Sequence, residues 1–212
     1  MNSKELIEKA IRLSGEPKVI ELLEQFLRAN AVIKDLKFDL ARFVNKNSNY
    51  EYAKGIYHKD GYRYVTDGIV LVSVKSEYDA TYEDKIISPK GEIIDARFPN
   101  WKLAMEYICM FSELRLQKPI PEICGFIKEN ETVAKAGNKE LILSIHHEDT
   151  LTYFNLREFS LFLSFLKAYP EAVTYIRNNQ CLYANDGDNF CLIMCKHIGS
   201  NYLDNYMVVP IV

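Results

Sequence analysis

The stretch 151–196 constrains the fold more than any other part of the chain, because three kinds of local pattern follow one another there without a gap. Leu151-Thr152-Tyr153-Phe154-Asn155-Leu156 reads as a strand. Over 157–168, Phe159, Phe162, Leu163 and Leu166 recur at helical spacing, and Pro170 then stops the helix. Segments 172–177, 180–184 and 190–196 read as three further strands. They are joined by Asn178-Asn179 and by Asn185-Asp186-Gly187-Asp188, residue types suited to tight turns. The order strand, helix, three strands implies an α+β unit with a helix laid on a sheet.

A looser version of the same order occurs earlier. Lys34-Asp35-Leu36-Lys37-Phe38 is an expected strand, and 39–47 an expected short helix with Leu40, Phe43 and Val44 inward. Strands over 52–58, 62–65 and 69–74 are separated by Lys59-Asp60-Gly61 and Thr66-Asp67-Gly68, each a turn containing glycine. Between the two units, a helix is expected over 101–111 and strands near 122–127 and 141–146. At the amino terminus, Ser3 can cap a helix carrying Leu6, Ile7, Ala10 and Ile11. Ser14-Gly15-Glu16-Pro17 separates it from a second amphipathic run with Val19, Ile20, Leu22, Leu23, Phe26 and Leu27. The expected division is a helical hairpin over 1–31, a partial domain over 32–100 and a second domain over 101–212. The hairpin is either a packing element or a docking surface.

Charge and cysteine usage narrow the function classes. A net charge of -3 opposes a protein that grips nucleic acid over its whole surface, so any DNA contact must be local. Five cysteines without framework spacing, and no signal-peptide pattern, lead to the expectation of reduced thiols in a cytoplasmic protein. No run reaches the roughly 18 to 20 apolar residues that a membrane span needs.

The end of the chain, Tyr206-Met207-Val208-Val209-Pro210-Ile211-Val212, is uncharged and apolar, and such a tail has no reason to face water. It resembles the carboxyl terminus of bacterial sliding clamps, the β processivity subunits of replicative polymerases. Two further segments carry the same resemblance. Tyr64-Val65-Thr66-Asp67-Gly68-Ile69-Val70-Leu71 is similar to a clamp strand built on Thr-Asp-Gly, and Asp95-Ala96-Arg97-Phe98-Pro99-Asn100-Trp101 to the clamp segment built on Arg-Phe-Pro. The two strand-helix-strand runs match the βαβββ unit that, repeated, builds a clamp domain. The resemblance therefore implies a clamp-like α+β fold with an added N-terminal helical segment.

It also implies a site. In the family these pieces line a pocket that captures short peptides from polymerases and other clients. Carried over position by position, the wall here would be Thr66, Gly68, Ile69, Val70 and Leu71, then Pro99 and Leu103, then Met207, Val208, Val209, Pro210 and Ile211. Ile69 and Val70 stand where clamps have His and Arg, and Leu103 where they have Arg, so the groove would be more apolar. The alternative is that these residues pack against one another as core. Only about thirty residues separate the Thr-Asp-Gly turn from Phe98-Pro99, whereas clamps insert a second half-domain there, so the chain is a shortened clamp at most. A ring around duplex DNA would need several copies of it. The candidate inner helices offer only Arg42 and Lys46, and Arg157 and Lys167, beside Asp39, Glu158 and Glu171. That is a thin band for phosphate attraction.

Catalytic patterns are sparse. Cys191, Cys195 and His197 share one strand face because their spacings are even, which makes them the best candidate for a metal- or thiol-dependent centre, though a buried apolar strand with small thiols accounts for them as well. His146-His147-Glu148-Asp149 falls where a solvated turn is expected, and Asp186-Gly187-Asp188-Asn189 lacks the glutamate that ends a calcium loop. No phosphate loop or nucleophile elbow is present, so no cofactor, no metal and no catalytic residue is expected. The expected function is a non-enzymatic clamp-like binding protein with a protein or peptide partner, local DNA contact at most, and homo-oligomers as one mode of assembly.

Overall fold

A computed structural model describes residues 38–101, 111–116, 118–198 and 204–211, so the expectations for 1–31, for the strand ending at Phe38, for Leu103 and for the helix over 101–111 lie wholly or largely outside the described residues. The chain divides into two units. The first comprises described residues through Asp67 together with Val74–Pro99, and the second Gly68–Ser73 together with described residues from Asn100 on.

In the first unit, Asp39 opens a short 3-10 turn, Leu40–Phe43, by accepting from the Ala41 amide at 3.0 Å. Leu40, Phe43 and Val44 are buried, as their spacing predicts. The longer helix expected over 39–47 does not form. Asn45 and Ser48 accept from the amides of Asn47 and Tyr50 at 3.2 and 3.1 Å, local bonds that compete with a helical ladder. A second 3-10 turn, Glu51–Lys54, replaces the first half of the strand expected over 52–58. Strand β1 (Ile56–Lys59) follows and pairs antiparallel with β2 (Tyr62–Thr66). Asp60 and Gly61, at φ 53° and 78°, make the two-residue turn that Asp-Gly announces. On its other edge β1 pairs with β4 (Lys85–Ile87), which pairs with β5 (Ile93–Ile94). Phe98, from the Arg-Phe-Pro segment, stacks on Tyr57 with centroids 4.6 Å apart and also meets Tyr52 and Tyr64.

In the second unit one sheet runs β3-β11-β10-β9-β6, all neighbours antiparallel. Its strands are β3 (Val70–Lys75, through Ser73 in this unit), β6 (Ser112–Glu113), β9 (Val173–Arg177), β10 (Cys181–Asn185) and β11 (Phe190–Met194). A smaller sheet runs β12-β7-β8. Here β7 (Glu140–His147) and β8 (Thr150–Asn155) are antiparallel, and β12 (Tyr206–Pro210) lies parallel to β7. Helix α1 spans Ile120–Ala136 and helix α2 spans Leu156–Ala168.

The run β8, α2, β9, β10, β11 is the strand-helix-three-strand order read from the sequence. Phe159, Phe162 and Phe165 on α2 are fully buried, with Leu163 and Leu166 beside them. Truncating one such phenylalanine to alanine costs about 3 to 5 kcal/mol. The strand expected near 122–127 is instead the first half of α1. Proline is tolerated in a helix's first turn, and Pro119 at the cap with Pro121 just inside starts the helix. Ile123, Ile127 and Ala134 then form its buried stripe.

Candidate functional site

Lys196 ties the tail strand to its sheet at three points. Its Nζ sits 2.9 Å from Glu140 Oε1 and 4.7 Å from the centre of the Tyr206 ring, and its amide donates to the Tyr153 carbonyl at 2.7 Å. From there the tail follows β7 in register, Met207 beside Leu141 and Val209 beside Leu143, and the Ile211 amide donates to the Ser144 carbonyl at 2.9 Å. From Val209 to Ile211 alternate residues take opposite environments, as a strand requires. Val209 and Ile211 are buried, Pro210 is exposed, and Met207 and Val208 are half-buried. Pro210, which has no amide to donate, sits on an edge strand where that loss is tolerated.

The other proposed wall residues are distributed as follows. Thr66 is buried at the end of β2, and Pro99 is exposed; both belong to the first unit. Gly68 adopts φ 91° in the turn, a conformation that favours glycine. Val70 and Leu71 are buried in β3, facing Ile193 and Leu192 of β11. Ile69 is 41% exposed, and its carbonyl accepts from the Met194 amide at 2.8 Å. Thus the tail pairs with β7, and Val70 and Leu71 pair with β11 in the other sheet. The end of β11 connects the two sets, since Met194 bonds Ile69 and Lys196, two residues on, covers Tyr206. Met194 is itself 42% exposed. Sequence reading missed it, although its apolar side chain at the end of an otherwise buried strand was the available signal.

The four residues expected to face DNA divide in the same way. Arg42 and Lys46 are exposed in and just after a four-residue 3-10 turn, so they occupy no helix. Arg157 and Lys167 do lie on the exposed stripe of α2 with Ser160 and Ser164, and Arg157 reaches Glu158 Oε1 at 3.2 Å. Lys128 and Lys135 of α1 were not singled out, because no helix was expected there; the strand expected near 122–127 stops before both. Two grooves of about 560 and 430 Å³ run along α1 and α2. They are lined by six cations, Lys128, Lys135, Lys139, Arg157, Lys167 and Lys196, and by three carboxylates, Glu131, Glu140 and Glu158. Each carboxylate pairs with one of those cations. Three positive charges are left over.

The thiol and imidazole candidates do not build a centre. Cys191 is completely buried, and burial pushes its thiol well above the usual range. Cys195 is partly exposed and also raised by burial, with its Sγ 3.8 Å from His197 Nε2. A nucleophilic thiol needs the opposite shift. Among the described residues no group of three or more His, Cys, Asp or Glu side chains is placed to hold a metal ion. Glu148, at φ 54°, lies in the turn between β7 and β8, and Asp186 accepts from the Asp188 and Asn189 amides in a hairpin turn, as their sequence contexts predict. No helix among the described residues is long and apolar enough to cross a membrane.

No protein-family model matches the sequence, and no curated protein matches it. Among solved structures, the chain is similar to a candidate DNA polymerase III beta subunit from Eubacterium rectale ATCC 33656, with a TM-score of 0.54 at 12% identity over 82% of this chain and 64% of that one. The chain has a sliding-clamp fold. Two further clamp structures align at a TM-score of 0.49 and 12% identity, too low to add weight. They are a DNA polymerase III subunit beta from Borrelia burgdorferi in complex with a natural product and a Helicobacter pylori beta clamp bound to a DNA ligase peptide. This clamp-like chain spans under two thirds of the length of each of them.

Proposed function

We propose that this chain is a non-enzymatic clamp-like binding protein, a DNA replication or processing accessory factor that captures an apolar peptide from a protein partner in the cytoplasm. The capture surface combines the tail strand with the start of β3: Ile69 and Met194 supply exposed apolar atoms, Met207 continues them on the tail face that also carries Val209 and Ile211, and Val208 faces the other side of the strand. The observation that carries this reading is the half-exposed, half-buried tail strand, stapled to its sheet by Lys196. A tail with only a packing role would have little reason to leave Met207 half-buried on the face where Val209 and Ile211 are fully buried. Such a surface binds through a few apolar anchors, each worth more than its neighbours. Sliding-clamp fold and apolar terminus together support the replication setting.

The test is a selection from a displayed peptide library, using the whole chain as bait. Peptides rich in Leu, Phe and Met should be enriched, and Met207→Lys, which keeps the strand and adds a charge, should weaken them at least tenfold while leaving the melting temperature within a few degrees. Equal binding by Met207→Lys would overturn the assignment.

A further inference from the structure

Three basic residues stand side by side across the β4-β1-β2 sheet of the first unit. His58 on β1 is the cross-strand partner of Lys85 on β4 and of Arg63 on β2, so the three side chains share one face. Residues 76–84, the connection that precedes β4, close over them. Arg63 Nη2 donates to the Glu77 carbonyl at 2.5 Å, and Lys85 Nζ donates to the Thr81 carbonyl at 2.6 Å. His58, between them, is completely buried, and neither ring nitrogen meets a hydrogen-bond partner of good geometry. It is boxed by the rings of Tyr78 and Tyr82, with centroids 5.0 and 5.6 Å away.

We propose that residues 76–84 form an acid-released strap, held shut over the β1–β2 hairpin only while the imidazole of His58 is uncharged. Protonation in place would set a second buried cation beside Arg63, favoured only by the Lys85 and Ile56 backbone and by the Glu83 charge, which burial and Arg63 outweigh. Among the described residues, the titratable groups around His58 are Arg63 from β2, Lys85 from β4, and Tyr78, Tyr82, Glu83 and Asp84 from the strap. Neither carboxylate hydrogen-bonds the ring, and the Glu83 charge favours its protonated form less than burial opposes it. Glu83 accepts from the Tyr78 hydroxyl and the Asp60 amide, and Asp84 accepts from the Tyr57 hydroxyl and Lys59. The remaining clasps are the Gly61 amide to the Tyr78 hydroxyl at 3.2 Å and two backbone bonds, the Asp84 amide to the His58 carbonyl at 2.8 Å and the Ser76 amide to the Gly61 carbonyl at 3.0 Å. Opening the strap gives His58 water and breaks these clasps.

The sign follows from linkage. Burial, and then the Arg63 charge, lower the His58 pKa to about 4 in the closed form, against an ordinary value near 6.5 once hydrated. Above pH 6.5 closure is unaffected by this group. Between pH 6.5 and 4 the open form takes up a proton that the closed form refuses, so opening grows about tenfold per pH unit. From pH 7 to pH 5 the increase is about twentyfold. The pKa of Glu83, lowered mainly by the Tyr78 hydroxyl, and that of Asp84, lowered mainly by the Tyr57 hydroxyl, already lie below the usual carboxylate range, so they give way only at lower pH.

The test is hydrogen exchange on the whole chain, with protection at the Ser76 and Asp84 amides followed from pH 7 to pH 5. Wild type should lose about twentyfold in protection, and His58→Phe should lose none over the same range. A parallel loss in His58→Phe, or no loss in wild type, overturns the proposal. Titration of the His58 ring by NMR in the wild-type chain decides the matter even if the variant fails to fold. A midpoint near 4 to 5 is expected; a midpoint near 6.5 with Ser76 and Asp84 still protected refutes it.

Discussion

Gly55 shows how much a single missing side chain settles. Its backbone is extended, at φ -147°, a conformation open to any residue, so space rather than angle requires glycine there. A Cβ would lie 2.6 Å from Ile86 Cγ2, 2.8 Å from the Ile87 carbonyl oxygen and 2.9 Å from Ile94 Cδ1. The backbone oxygen cannot yield as a side-chain tip can, so Gly55→Ala should destabilise the first unit by about 1 to 3 kcal/mol, as overpacking does. Urea unfolding measures it, and an unchanged midpoint would mean that β4 and β5 sit further from β1. That packing was not legible in the sequence, because Lys85-Ile86-Ile87 and Ile93-Ile94 are too short to show a period. Asp60-Gly61 was legible, since two positive φ angles in succession leave few residue choices.

At the scale of elements, the second βαβββ run was readable because Phe159, Phe162 and Leu166 repeat at helical spacing beside a stop at Pro170, and its three strands end at turn residues. Helix α1 was not. Its six residues Glu122–Ile127 carry apolar side chains on both parities around Gly125, and the helical repeat emerges only when Ala134 is included. Gly125 is exposed, and a Cβ there meets nothing within 4 Å. Gly125→Ala should therefore stabilise the chain by about 0.5 to 1 kcal/mol, the ordinary penalty of glycine inside a helix. A lower melting temperature would contradict α1. The tail was expected to leave water, but its pairing was not foreseen, because a parallel partner in β7 some sixty residues earlier leaves no local signal. Its two roles can be separated. Ile211→Ala should cost about 2 to 5 kcal/mol on chemical unfolding, since that side chain is buried, whereas Met207→Lys should leave stability nearly unchanged.

For the molecule as a whole, an acidic balance of -3 coexists with a surplus of three positive charges in the grooves along α1 and α2. Contact with duplex DNA through that face would neutralise about three phosphates, so log affinity should fall against log salt with a slope of about -3. Fluorescence anisotropy on a short duplex measures this, with weak binding expected even at low salt. A slope near -8 would reveal a larger basic face. The sequence carried the clamp resemblance through three short segments and the order of elements, and 12% identity to a structure of the same fold explains why nothing longer survives to be read. The site was only partly legible. The tail was singled out by its apolar character and Ile69 by the clamp resemblance; Met194 offered only its apolar side chain at a strand end as a signal, and the stapling contacts of Lys196 have no sequence pattern. The most direct test of the binding assignment is NMR shift mapping of the tightest selected peptide on the full chain. The account predicts perturbations centred on Ile69, Met194, Met207 and Val208; perturbations confined to the α1 and α2 grooves, with the tail unmoved, would contradict it.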